Sequence, residues 1–229
     1  MTISRFNFKR LLKKIVIGLA ILSLSLVVAF TIDYFYQKFY GEPISVPLPQ
    51  SISNVITTQA PEEKEVTKQE VVEHKVAPDK PRYFSLPVLG ITKARILPVA
   101  KDTKTHEIGT PPGIYDVGWF NQSGLPGKNQ TIVLDGHNGG PTKDGIFKRL
   151  GNATPGNILT IERGDGQIFN YKITDNYVVK VEDFNQDAMN KILAKINDQE
   201  TVAIITCSGR WLKNKQTYDQ RTIVKAVKQ

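Results

Sequence analysis

The stretch QTIVLDGHNGGP (residues 130–141) sets the reading of the fold. Thr131–Leu134 is a β-branched, apolar run too short for a helix, and Asp135-Gly136-His137-Asn138-Gly139-Gly140-Pro141 stops it with turn-forming residues. The same alternation recurs on both sides. The runs are YFSLPVL (83–89), TKARILPV (92–99), NILTIER (157–163), QIFNYKI (167–173), NYVVKVEDF (176–184), TVAIITC (201–207) and RTIVKAV (221–227). Between them stand GTPPG (109–113), GLPG (124–127), PG (155–156) and RGDG (163–166). Many short strands punctuated by Gly/Pro turns predict an all-β sandwich or barrel. One helix interrupts them: Ala188, Met189, Ile192, Leu193 and Ile196 recur at helical spacing behind Asp183 and Asn185 as cap candidates, and read as core-facing. Gly145–Leu150 is a second helix candidate of one or two turns.

Outward from this region the composition changes. The 229 residues carry 30 Lys and Arg against 22 Asp and Glu, a net charge of +8 that would fit an anionic partner if it were concentrated. It is not. Residues 1–40 hold six bases and one acid, residues 41–80 four bases and seven acids, and residues 81–229 the remainder. The first block flanks an uncharged run of 18 residues, Ile15–Ile32, close to the ~20 residues a helix needs to cross a bilayer. Five bases precede it, which places the N-terminus in the cytoplasm and the rest of the chain outside. Tyr34, Phe35, Tyr36 and Tyr40 read as an interfacial aromatic belt. A cleaved signal peptide ending near Val27-Val28-Ala29 is the competing reading, although the apolar run exceeds a signal's ~7–15 residues. Three parts are therefore expected: a cytoplasmic tail and anchor over 1–36, a flexible extracytoplasmic linker over 37–80, and a domain over 81–229. The linker assignment rests on five prolines in residues 41–80 and the charged stretch PEEKEVTKQEVVEHK (61–75), which offer little apolar surface to offset ordering entropy. A short helix within Glu62–Lys75 is compatible with it, and His74 reads there as a solvated residue.

A single cysteine excludes an intramolecular disulfide and any zinc site built on two or more thiolates, and three histidines do not suggest a His cluster. No metal or other cofactor is expected. Cys207 closes the run TVAIITC, His137 follows the run TIVLDG, and Arg221 opens RTIVKAV. Residues at strand ends are held by a rigid sheet yet face an opening, so Cys, His and Arg could meet there. A cysteine thiol ordinarily titrates near ~8.5; a neighbouring imidazole can pair with the thiolate or shuttle its proton. A guanidinium offers permanently charged, fixed donors to a developing oxyanion. Each residue also has a plainer reading: Cys207 as a small buried hydrophobe, His137 as a loop residue bonded to backbone, Arg221 as a strand-edge surface charge. Position alone does not choose between them.

The segments VGWFNQSGLPGKNQTIVLDGHN (117–138), GIFKRLGNATPGNILTIE (145–162), VAIITCSG (202–209) and RTIVKA (221–226), in this order, resemble a sortase. Val117-Gly118-Trp119-Phe120 and Leu125-Pro126-Gly127 bring the chain nearest to the compact class E and class F types. The resemblance implies a closed eight-stranded β-barrel with one or two short helices, carried by a membrane-anchored cysteine transpeptidase. Cys207 would be the nucleophile on a Leu-Pro-x-Thr-Gly-like sorting signal, His137 the general acid/base and Arg221 the oxyanion and substrate-holding residue. Thr206 would help to line the site for substrate. The acyl group would pass to an amine, such as a cell-wall precursor or a pilin lysine. Residues 181–199 would shape the substrate groove. Arg210, three residues after Cys207, is a rival guanidinium. Neither an acidic calcium cluster nor an aromatic-bearing inhibitory lid is evident, which disfavours a pilin-polymerising subtype. Two other readings compete: an L,D-transpeptidase, whose Ser-His-Gly-Cys run is replaced here by Ile205-Thr206-Cys207-Ser208, and a non-catalytic tethered binding module. Nucleic acid is not an expected partner, since the domain's bases are scattered without aromatic interleaving.

Overall fold

A computed structural model describes residues 60–101 and 108–229. Eight strands close into a barrel: β1 (Pro81–Leu86), β2 (Ile91–Val99), β3 (Val117–Phe120), β4 (Thr131–Asp135), β5 (Ile158–Arg163), β6 (Ile168–Lys180), β7 (Thr201–Leu212) and β8 (Thr217–Lys228). Their order around the barrel is β1-β2-β3-β4-β7-β8-β6-β5, and β5 pairs back onto β1. Most neighbours are antiparallel; β2 with β3 and β4 with β7 are parallel.

Alternation of side chains across each strand sorts the apolar residues into two groups. One fills the barrel, including Phe84, Ile132, Leu134, Phe147, Tyr171, Val202, Ile204 and Val224. The other, Val133, Ala203, Ile205 and Ile223, lies on the outer face of β4, β7 and β8 and is covered by Ile192 of the helix α2 (Gln186–Leu193). Asn185 caps this helix by accepting from the amides of Asp187 and Ala188. At its other end the Lys225 ammonium, from β8, donates to the carbonyls of Lys191 (2.8 Å) and Ala194 (2.7 Å), where the helix dipole favours a cation. Lys225 thus ties the C-terminal end of the helix to β8. The helix is shorter than the apolar spacing suggests. It ends at Leu193, which is 39% exposed, so Leu193 and Ile196 are not part of its buried face. Gly145–Leu150 forms turns rather than a helix, followed by a 3-10 turn at Leu150–Asn152.

Residues 60–80 depart most from expectation. In place of a flexible linker, they form an ordered strap on the barrel with a short helix, α1 (Lys68–Glu73), closed by a capping box between Thr67 and Glu70. His74 is not solvated: its Nε2 donates to the Ile96 carbonyl at 3.0 Å, its ring meets Tyr83 edge-on, and burial holds its pKa below the ordinary value. Polar contacts, not apolar burial, fasten the strap, and composition does not register them. No helix among the described residues is long and apolar enough to cross a membrane; the run Ile15–Ile32 lies outside them, as does His106.

At the start of β7 the buried carboxylate of Glu200 accepts from the amides of Gly127 (3.0 Å) and Asn129 (2.9 Å) and from the Tyr171 hydroxyl (2.6 Å). Burial and this bond keep the phenol protonated far above its usual range. Glu200→Ala leaves three donors unsatisfied and is expected to cost about 3 kcal/mol in urea unfolding. A loss below about 1 kcal/mol would show that water replaces the carboxylate without penalty.

Candidate active site

The parallel ladder between β4 and β7 ends at one rim, although β7 itself continues past the expected strand end at Cys207 to Leu212. The rungs run from Thr131 opposite Thr201 to Asp135 opposite Ile205, so Gly136-His137 and Thr206-Cys207 leave the ladder together. β8 continues antiparallel to β7 and sets Arg221 directly opposite Cys207. Side chains so paired have Cβ atoms about 4.5–5.5 Å apart. Cys207 and Arg221 extend by one step the outer-face rows of Ala203 and Ile205 on β7 and of Ile223 on β8. Both therefore stand on the face that α2 covers, at the open edge of that apolar cluster. Cys207 is half-buried and Arg221 is buried.

Arg221 is held by its own strand. Nη1 donates to the carbonyls of Tyr218 (3.1 Å) and Gln220 (3.0 Å), and Nη2 to the Thr217 hydroxyl (3.1 Å). The guanidinium also lies 6.0 Å from the ring centre of Phe184, in the segment leading into α2. Arg210 is different. A bulge after Ser208 inserts Gly209, at φ +80°, where an added Cβ would lie 2.0 Å from the Asp219 carboxylate. Asp219 accepts from the Arg210 amide at 2.7 Å and its side chain pairs loosely with the Arg210 guanidinium, which is 91% exposed. The bulge turns Arg210 to solvent and leaves Arg221 as the guanidinium beside Cys207.

His137 has Nε2 2.7 Å from the Pro111 carbonyl. A carbonyl only accepts, so Nε2 carries the proton and Nδ1 is the basic nitrogen. Burial holds the pKa below the ordinary 6.5, while the bond to Pro111 opposes that shift, so the resting imidazole is neutral near pH 7. Gly136, just before it, admits the Phe147 ring so closely that a Cβ would lie 2.5 Å from it.

A sortase-domain family profile matches residues 85–229. The chain belongs to the sortase family. The chain is similar to solved structures of sortases. Sortase A from Corynebacterium diphtheriae is 18% identical, with a TM-score of 0.50 over 71% of this chain and 69% of that one. A sortase D5 transpeptidase from Clostridium perfringens is 20% identical, with a TM-score of 0.45 over 70% and 86%. Sortase C from Streptococcus pneumoniae is 17% identical, with a TM-score of 0.47 over 74% and 75%. No curated protein matches. Family membership makes this sortase a cysteine transpeptidase and sets aside the L,D-transpeptidase and binding-module readings.

Two residues of the sortase site differ from the sequence reading. Thr206, expected to help line the site for substrate, is buried on the barrel-interior side of β7, and its hydroxyl donates to the Gly136 carbonyl at 2.8 Å. It ties the strand bearing Cys207 to the turn bearing His137. Asp135 was not anticipated, because an Asp before Gly reads as a turn residue. It is in fact 9% exposed, on the same outer face as Cys207 and Arg221, and its Oδ1 has no hydrogen-bond partner. Burial pushes its carboxyl up to about 8, against the opposing field of Arg221 and the Gly136 amide. Unfolding returns it to about 3.8, so between these values the folded state holds more protons, and its share of stability is lost as pH rises through them. Asp135→Asn is therefore expected to flatten the pH dependence and to raise stability over the native protein at pH 9 more than at pH 5, read by urea unfolding. Equal effects at both pH values would place the Asp135 titration elsewhere.

Proposed function

We propose that this sortase cleaves a Leu-Pro-x-Thr-Gly-like sorting signal and joins the released acyl group to a cell-surface amine, a cell-wall precursor or a pilin lysine. The observation that carries the reading is the direct cross-strand pairing of Cys207 with Arg221, with His137 leaving the neighbouring strand at the same rim. The Cys207 thiol gives its proton to Nδ1 of the neutral His137, the thiolate attacks the Thr carbonyl carbon, and the oxyanion meets Arg221, whose three bonds to its own strand leave Nε–H and a second Nη2 proton to donate. His137, as imidazolium, protonates the departing Gly amine as the C–N bond breaks, leaving a thioacyl enzyme. The incoming amine then loses its proton to Nδ1, attacks the thioester and expels the thiolate. Thr206 acts on substrate only through the geometry it imposes on Cys207 and His137.

Val117–Phe120 and the Leu125-Pro126-Gly127 turn support placing it near class E and class F within the family. The basic flank and the uncharged run Ile15–Ile32 support a single-pass anchor with the catalytic domain outside the cell. Such an anchor would keep Cys207 near substrates that are themselves membrane-bound.

Arg221→Lys removes the fixed planar fork and is expected to lower kcat/KM about 100-fold on a fluorogenic sorting-signal peptide. Arg210→Ala is expected to leave it within about twofold, since that guanidinium faces solvent. The opposite ranking would assign the oxyanion to Arg210, and an unchanged rate in Cys207→Ala would overturn the function itself.

A further inference from the structure

Two consecutive residues of the strap, Glu62 and Glu63, grip the chain on both sides of His137. The backbone of Glu62 pairs in parallel with Gly113: its amide donates to the Pro112 carbonyl (2.8 Å) and its carbonyl accepts from the Ile114 amide (2.9 Å). The residue before this pair is Pro111, whose carbonyl receives His137 Nε2. The Glu63 carboxylate reaches the other flank. It accepts from the amides of Thr142 (2.7 Å) and Lys143 (3.0 Å) and from the Thr142 hydroxyl. These bonds, the Thr142 hydroxyl first among them, hold Glu63 below the usual carboxylate range, so it is ionised at neutral pH. It sits so close over Gly140 that a Cβ there would lie 2.4 Å from Oε1.

The gripped loop leads back to His137. The Gly140 amide donates to the Lys143 carbonyl, the Gly145 amide to the Asn138 carbonyl, and the Phe147 amide to the His137 carbonyl at 3.0 Å. Ile146 then donates to the carbonyl of Ile114, which is also bonded to Glu62. The imidazole therefore hangs between two segments, 111–114 and 139–147, and the strap fastens each. Arg95 and Asp116 fix the far end of the first segment by a bidentate pair (2.9 and 2.8 Å). An error of about 1 Å in a catalytic group's position is enough to cost ~100-fold in rate.

We propose that Glu63 is a positioning residue: by clamping the 140–143 loop while the Glu62 backbone holds Pro111–Ile114, the N-terminal strap sets the orientation and tautomer of His137. This rests on His137 acting as the acid/base proposed above.

The test uses the full-length chain in detergent micelles, selectively 15N-labelled at histidine. His137 is assigned with His74→Gln and His106→Gln variants. In the native protein the His137 Nε2–H, bonded to Pro111, gives an observable imidazole N–H signal. Glu63→Ala is expected to lose that signal to solvent exchange. It should also lower kcat about tenfold or more while KM for the sorting peptide stays within about twofold. Glu63→Gln, which keeps an oxygen for the two amides, should restore both. Glu63→Ala with signal and kcat unchanged overturns the proposal, as does a fall in KM and kcat that Glu63→Gln fails to rescue. If Glu63→Ala does not fold, Thr142→Val removes only the hydroxyl donor; a partial loss of signal and kcat supports the clamp, and native values overturn it. A native chain inactive on every sorting peptide would sink the proposed function, while the N–H signal would still report on the clamp.

Discussion

The parallel pairing of β4 with β7 is the constraint on which the rest of this protein depends. Where this parallel ladder ends, past Asp135 and Ile205, the chain carries His137 just beyond β4 and Cys207 within β7 at the same rim. Parallel neighbours need a long crossover, and here it comprises β5, β6 and α2. The crossover has a use of its own. Its helix lies over the outer face of β4, β7 and β8, and the same apolar cluster that buries Ile192 supports the row of side chains ending in Cys207 and Arg221. The barrel interior holds the main apolar core, and the outer face carries Cys207 and Arg221.

The candidate site lies where the β4–β7 ladder ends and is adjusted by backbone irregularities and polar ties. The bulge at Gly209 sends one arginine to solvent and leaves another opposite the thiol. The Thr206 hydroxyl joins the two catalytic strands at the point where they part. The Pro111 carbonyl selects the imidazole tautomer. Asp135 is the costly element: a carboxyl with a buried, unpartnered oxygen beside Arg221. Such groups persist where function tolerates a loss of stability.

What was legible in the sequence follows from what local pattern encodes. Apolar, β-branched runs and Gly/Pro punctuation exposed most of the strands, and Asn185 ahead of spaced apolar residues exposed α2, because both depend on neighbours a few residues away. Cys207, His137 and Arg221 stood out because each borders an apolar run; β7 and β8 in fact extend past Cys207 and Arg221, since polar residues such as Ser208 and Gln220 continue the ladder. The inward side of Thr206 could not be read, since only closure of the barrel decides which face of β7 is interior. The order of residues 60–80 was hidden for another reason. That segment has little apolar surface, and its order comes from backbone pairing by Glu62 and from amides that converge on the Glu63 carboxylate, contacts made across about 50 and 80 residues of chain respectively.

The central claim is that Cys207 attacks an acyl carbon at the rim formed by β4, β7 and β8. Intact-mass spectrometry of the protein mixed with a Leu-Pro-x-Thr-Gly peptide, quenched in acid before an amine is added, reads this directly. The account predicts an adduct equal to the peptide up to Thr with loss of water, mapped to Cys207 by digestion, discharged by an added amine and absent in Cys207→Ala. An adduct on another residue, or amine-dependent joining by the Cys207→Ala protein, would contradict it.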